Sequence, residues 1–218
     1  MAVSSDCHWI ATGSWDSTVR LWDAASGRHF STFRGHSEDV LPVAFSRDSR
    51  RIVSGSRDGV AMVWDVERGM EMFRLKQQHG IWSAAFSHND RRIVTGSAGL
   101  SATVWDATTG EKQITLDGHT AHIHAAVFSP DDSRILTGSA DHTAKLWDST
   151  TGGELLTFRG HNDWVFSAAF SPDGQRIVTG SGDGTVKVWE AATREQVAKW
   201  HEEERTAAAV EPAPGNPD

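Results

Sequence analysis

The stretch TGSADHTAKLWD, Thr137–Asp148, decides how this chain is read. A hydroxyl residue, Thr137, is followed by the pair Gly138-Ser139 and then by a turn carrying Asp141. The stretch closes on Leu146-Trp147-Asp148. Two short runs separated by turn residues predict two strands of a hairpin. The question is whether the pattern stands alone.

It does not. Trp22, Trp64, Trp105, Trp147 and Trp189 are each preceded by Leu or Val and followed by an acid, at intervals of 42, 41, 42 and 42 residues. Nine residues before each Trp stands Gly-Ser, and one residue earlier stands Thr12, Ser54, Thr95, Thr137 or Thr179. Six residues before the Trp is Asp16, Asp58, Gly99, Asp141 or Asp183. Upstream lie His36, His79, His119 and His161, three of them preceded by Gly. A fixed period of this length marks a repeat architecture. "RRIVSGS", "TVRLWD" and "TVKVWE" are short and rich in β-branched and aromatic residues, as strands are. "SPDG" (Ser171–Gly174) and "SPDD" (Ser129–Asp132) are turn sequences. No stretch carries a helical period. Each period therefore predicts four short strands joined by tight turns.

These correlated positions resemble the tryptophan-aspartate (WD) repeat family of β-propellers, over residues 2–201. The resemblance implies an all-β propeller of four-stranded antiparallel blades at approximately 1–34, 35–77, 78–117, 118–159 and 160–201. It also implies a hydrogen-bonded network inside each blade, from Trp to Ser/Thr to His to Asp. The matching sets are His36, Ser54, Asp58 and Trp64; His119, Thr137, Asp141 and Trp147; and His161, Thr179, Asp183 and Trp189. A catalytic triad is needed once, so a set repeated blade after blade reads as structure. The third blade departs: His79 lacks its Gly, Gly99 replaces the Asp, and "HGIWSAAF" is two residues short. Its network is expected to be incomplete and the blade less rigid.

The first blade aligns without gaps from Ala2, so most of its innermost strand is missing. Five blades with one truncated leave ring closure open. The chain is expected to be part of a longer propeller. The alternatives are a small five-bladed ring, or completion by a second chain. Residues 202–218, with a charge run and three prolines, are expected to be a disordered tail, a short helical turn around 202–209 aside.

The family's top face is lined at three places per blade. Carried over, these are Trp15; Asp39, Leu41 and Arg57; Gly80, Trp82 and Ala98; His122, His124 and Ala140; and Trp164, Phe166 and Gly182. Exposed aromatics beside Arg are what interface hot spots are made of. The function implied is a non-catalytic scaffold binding other proteins or peptides through this face. Two alternatives stay open. His122 and His124, two apart on a strand and so on one face, are imidazoles able to ligate Zn²⁺ or Cu²⁺, with His142 as a third ligand. The chain is otherwise a regulatory or sensor fragment of a larger WD-repeat protein. No Walker loop, paired-Cys zinc spacing or Gly-x-Ser-x-Gly elbow is present, and no cofactor is expected.

Composition narrows the partners. The formal net charge is −8, with 21 Lys+Arg against 29 Asp+Glu. That disfavours nucleic acid and anionic membranes, which need a basic footprint. Cys7 is the only cysteine, so no intrachain disulfide forms. No run has membrane-spanning length and the N-terminus has no signal pattern. A cytoplasmic protein is the expectation.

Overall fold

The computed structural model describes residues 1–191. The end of the last expected blade, 192–201, and the expected tail, 202–218, lie outside the described residues. Among the described residues every regular element is a strand. The first sheet joins β1 (Ala2–Val3), β2 (Trp9–Gly13), β3 (Thr18–Asp23) and β4 (His29–Arg34). The second joins β5 (Val40–Phe45), β6 (Arg51–Ser56), β7 (Val60–Asp65) and β8 (Met70–Lys76). The third joins β9 (Ile81–Phe86), β10 (Arg92–Ser97), β11 (Ser101–Asp106) and β12 (Lys112–Asp117). The fourth joins β13 (Ile123–Phe128), β14 (Arg134–Ser139), β15 (Ala144–Asp148) and β16 (Glu154–Phe158). The fifth has three described strands, β17 (Val165–Phe170), β18 (Arg176–Ser181) and β19 (Val186–Glu190). Within each sheet, strands consecutive in the chain pair antiparallel, and the innermost strands β1, β5, β9, β13 and β17 contact one another in order.

The turn from innermost to second strand is built the same way each time. In the second sheet the Ser46 hydroxyl donates to Asp48 at 2.6 Å, and Asp48 accepts the Arg50 N–H at 3.0 Å. Such side-chain bonds hold the chain in the bend. Each turn needs one left-handed residue, and here it is Cys7, Ser49, Asp90, Asp132 or Gly174. Asp90 and Asp132 put that position to use. Asp90 accepts the N–H groups of Arg47 (2.7 Å) and Asp48 (3.0 Å), and Asp132 accepts those of His88 (2.7 Å) and Asn89 (2.9 Å). The turns of the third and fourth blades are thereby tied to the turn of the blade before.

The apolar core lies between blades. Among the described residues there are four buried clusters, and each joins two neighbouring sheets. In the cluster between the third and fourth sheets, Val94, Ala102, Val104 and Leu116 face Ile123, Phe128, Ile135 and Trp147. An arginine reinforces three of these junctions. Arg92 donates to the carbonyls of Ser149 (2.6 Å) and Asp132 (2.7 Å) and lies over the Phe128 ring at 5.0 Å. Arg51 and Arg134 repeat this arrangement in their own junctions.

Among the described residues no cluster joins the fifth sheet to the first, and the propeller they form is not closed. Val178, Val186 and Val188 are 37%, 70% and 66% exposed, whereas their counterparts Leu136, Ala144 and Leu146 are buried. At the other end Val3 is exposed. The small closed ring considered from the sequence is therefore corrected: the described blades form an open arc, because its two end faces find no partner within it.

Candidate functional site

Three blades carry a continuous polar relay through their interior. In the fourth, Trp147 Nε1 donates to Thr137 Oγ1 at 2.8 Å, Thr137 meets His119 Nε2 at 2.7 Å, and His119 Nδ1 faces Asp141 at 2.7 Å. A carboxylate only accepts, so the neutral imidazole carries its proton on Nδ1. Its Nε2 then accepts from the threonine hydroxyl. The second blade repeats this with Trp64, Ser54, His36 and Asp58, and the fifth with Trp189, Thr179, His161 and Asp183. Each Asp also accepts a backbone N–H from the residue after its His: Ser37, Thr120 or Asn162. His36, His119 and His161 are buried, and pairing is what makes such burial tolerable.

The electrostatics follow. Burial pushes the His36 imidazole below its ordinary value against the pull of Asp58. Burial would raise Asp58, but N–H donors from Ser37 and Val60 and the His36 ring hold it below the carboxylate range. Asp141 is held lower still: His119, Thr143 and the Thr120 N–H outweigh its burial.

The two remaining blades lack the relay. In the first, Trp22 Nε1 donates to Thr12 at 3.0 Å, and Asp16 bonds the Thr18 hydroxyl at 2.5 Å and pairs with Arg20. In the third, Trp105 Nε1 donates to Thr95 at 2.8 Å, but His79 is exposed and makes no side-chain hydrogen bond among the described residues. Its ring stands over Gly99, where an added Cβ would lie 2.8 Å from His79 Cδ2.

The residues expected on the top face are arranged by a feature the alternation of strand residues does not reveal. Every innermost strand from the second blade onward carries a β-bulge near its start. The register breaks between Val40 and Val43, at Ser97/Ile81 opposite Gly96/Ser83, between Ile123 and Ala125, and between Val165 and Ser167. The unpaired positions are Leu41-Pro42, Trp82, His124 and Phe166. A bulge re-aims the extra side chain, so the structure points these residues out of the ladder at one end of the blades.

Three of them form a strip. His124 stacks on Trp164 (5.5 Å, 23°), tilts against Phe166 (5.1 Å) and meets the edge of Trp82 (5.6 Å). The Arg57 guanidinium lies over Trp82 at 5.4 Å and pairs with Asp39 at 3.4 Å. Trp82 Nε1 and His124 Nε2 are buried without a hydrogen-bond partner. Burial and the neighbouring His122 push His124 below its ordinary value, so the strip holds a neutral imidazole at neutral pH. Trp164 and Phe166 are 46% and 51% exposed. Leu41 is half-buried at the second blade's equivalent place, and Trp15, though 79% exposed, makes no ring contact among the described residues.

His122 and His124 do not share a strand face. His122 precedes β13 and is exposed, while His124 is the bulged residue and is packed among aromatic rings. The alternation argument fails there because a bulge shifts it by one residue. His142 joins no cluster with them: among the described residues no group of three His, Cys, Asp or Glu could hold a metal ion.

Blades of four antiparallel strands, packed side by side about their innermost strands, define a β-propeller built from repeats. A family model, "WD domain, G-beta repeat", matches residues 1–23, 27–65, 71–106, 110–148 and 152–190, and the chain belongs to that family. From the second match onward each runs from the outermost strand of one sheet through the third strand of the next, as 27–65 spans β4 to β7. The chain is 42% identical over 77 residues to "Guanine nucleotide-binding protein subunit beta" of Arabidopsis thaliana, covering 35% of this chain and 20% of that protein. It is 42% identical over 73 residues to "Periodic tryptophan protein 2" of the same plant, covering 33% and 8%. It is 43% identical over 61 residues to "Transcription initiation factor TFIID subunit 5" of Caenorhabditis elegans, covering 28% and 9%. The matched stretches thus span a fifth or less of these relatives.

Proposed function

We propose that this chain is a non-catalytic scaffold that binds other proteins or peptides through the strip Asp39, Arg57, Trp82, His124, Trp164 and Phe166. The observation that carries this is the bulge repeated in each innermost strand. It presents a residue that changes from blade to blade, Leu41, Trp82, His124 and Phe166, on an otherwise uniform frame. Trp and Arg at a partly desolvated patch are the residue types that dominate interface energetics. Two relatives are named as subunits, a guanine nucleotide-binding protein subunit and a transcription initiation factor subunit, so chains of this kind occur in assemblies. The excess of acidic residues and the single cysteine fit a protein partner in the cytoplasm better than nucleic acid or an anionic membrane.

The experiment is isotope-labelled affinity capture comparing wild type with Trp164→Ala/Phe166→Ala. Both side chains are exposed enough to be truncated without emptying the core. Removing a hot spot weakens binding by about 2 kcal/mol or more, so specific partners should leave the variant's capture while a Glu67→Ala control keeps them. An identical set of captured proteins from all three would sink the proposal.

A further inference from the structure

We propose that the third blade is an oxyanion-binding site, in which the cavity beside its displaced histidine receives a carboxylate or phosphate group. The reasoning starts from what this blade has lost. In the three relay blades an imidazole fills the space beside the tryptophan, and a carboxylate sits at the turn before the third strand. The third blade keeps the turn. Gly99 N–H bonds Ser97 Oγ at 3.1 Å, just as Asp141 N–H bonds Ser139 Oγ at 3.1 Å. The carboxylate is gone with Gly99, and the imidazole has swung over it.

What remains is a cavity of about 300 Å³ whose lining includes Lys76, Gln77, His79, Ser101, Trp105 and Lys112. The lining contains no carboxylate. Lys76 and Lys112 have no ion-pair partner among the described residues. The fourth blade shows the contrast: there Glu154 stands where Lys112 stands here, and it pairs with Lys145 at 2.7 Å. Gln77 reaches in from the rim. Its amide bonds Thr103 Oγ1 at 2.9 Å through one end, and the other end is buried without a partner. Gln77 therefore braces the rim through Thr103 and leaves the cavity's charge to the lysines. Lys76, Lys112 and the Ser101 hydroxyl thus line one space that holds no carboxylate. An oxyanion supplies acceptors and negative charge together, and charge-assisted bonds are the strong ones.

The test is a titration of the ¹⁵N-labelled full chain, followed at the Gly99 amide and the Trp105 indole N–H. Two probes separate the sources of the anion: inorganic phosphate, and N-acetyl-aspartate N-methylamide as an acidic side chain. Saturable shifts with either one support the site. Phosphate alone identifies a free small anion, and the aspartate mimic alone identifies a partner's acidic residue. Two variants must each weaken binding about tenfold or more, the loss expected when a charge-assisted bond is removed. These are Lys76→Gln/Lys112→Gln, which removes the cations, and Gly99→Asp, which supplies a carboxylate within the chain. An unchanged Trp147 indole signal verifies the fold in both. Absence of saturation with both probes, or equal saturation in both variants, overturns the inference.

Discussion

The relay makes a quantitative prediction from two equivalent threonines. In the fourth blade Thr137 Oγ1 serves two buried groups at once, Trp147 Nε1 at 2.8 Å and His119 Nε2 at 2.7 Å. In the third blade Thr95 Oγ1 serves one buried side chain, Trp105 Nε1 at 2.8 Å; the long 3.4 Å bond to the carbonyl across the hairpin is common to both threonines. Both threonines are fully buried, and Val replaces Thr with almost no change of shape. The Val substitution therefore removes hydrogen-bond partners and leaves packing intact. Each buried polar group left without a partner costs about 1–3 kcal/mol. Thr137→Val orphans two side-chain groups and should cost about 2–6 kcal/mol, whereas Thr95→Val orphans one and should cost about 1–3 kcal/mol. The assay is urea unfolding followed by tryptophan fluorescence. Hydrogen exchange at the Trp147 and Trp105 indoles would assign each loss to its own blade. The His119 ring adds a second reading: without the threonine hydroxyl its Nε2 has no donor, and the ring should become mobile on its NMR signals. If Thr137→Val costs no more than Thr95→Val, the relay is not what holds the fourth blade, and the reasoning fails.

Other consequences can be measured with the same methods. Leu146→Ala, inside a blade junction, should cost about 2–5 kcal/mol, while Val188→Ala, its exposed counterpart on the fifth blade, should stay within about 0.5 kcal/mol. Equal costs would mean that the arc is covered in solution. Arg92→Lys breaks the forked bonds to the Ser149 and Asp132 carbonyls and should destabilise by about 1–3 kcal/mol. Arg176→Lys should be neutral, because that guanidinium makes no hydrogen bond among the described residues; a matching loss would deny the junction role. Stability should fall as pH drops below 6.5. His36 and His124 are depressed in the folded chain, so the unfolded chain takes up protons first. A second decline should begin below 3.8, where Asp58, Asp141 and Asp183 are likewise depressed. Urea midpoints that rise between pH 6.5 and 5 would contradict the first part.

Much of the architecture is legible in the sequence because the repeat is a physical unit. The tryptophan, the Gly-Ser pair and the turn acid each perform one task, and the task recurs wherever two blades meet. Trp147 is legible for this reason: it closes the relay and also fills the junction with the third blade. The arginine staples were less visible. Arg51, Arg92 and Arg134 recur at equivalent positions, yet a charged residue at a strand start reads as a solvated one until its carbonyl partners in the next blade are known. The bulges left no signal that a period-2 reading could detect. The bulged residues Leu41, Trp82, His124 and Phe166 differ in type, so nothing in composition marks them.

That difference in type is the link from fold to binding. A repeat must be uniform where blades touch, since Val94 or Leu136 in a junction faces the same kind of neighbour each time. A bulge lifts one residue per blade out of the ladder and away from that junction, so its identity is free to vary without weakening the stack. His124 tests the point most directly. Its ring contacts Trp82 in the preceding blade and Trp164 and Phe166 in the following one, so a single substitution reaches three blades of the strip. His124→Ala should disturb partner binding well beyond one side chain. It should also leave global stability nearly unchanged, because the residue lies outside the paired ladder and its Nε2 has no hydrogen bond to lose. A large loss of stability with partner binding intact would show that the strip is an extension of the core, and would move the binding surface elsewhere on the arc.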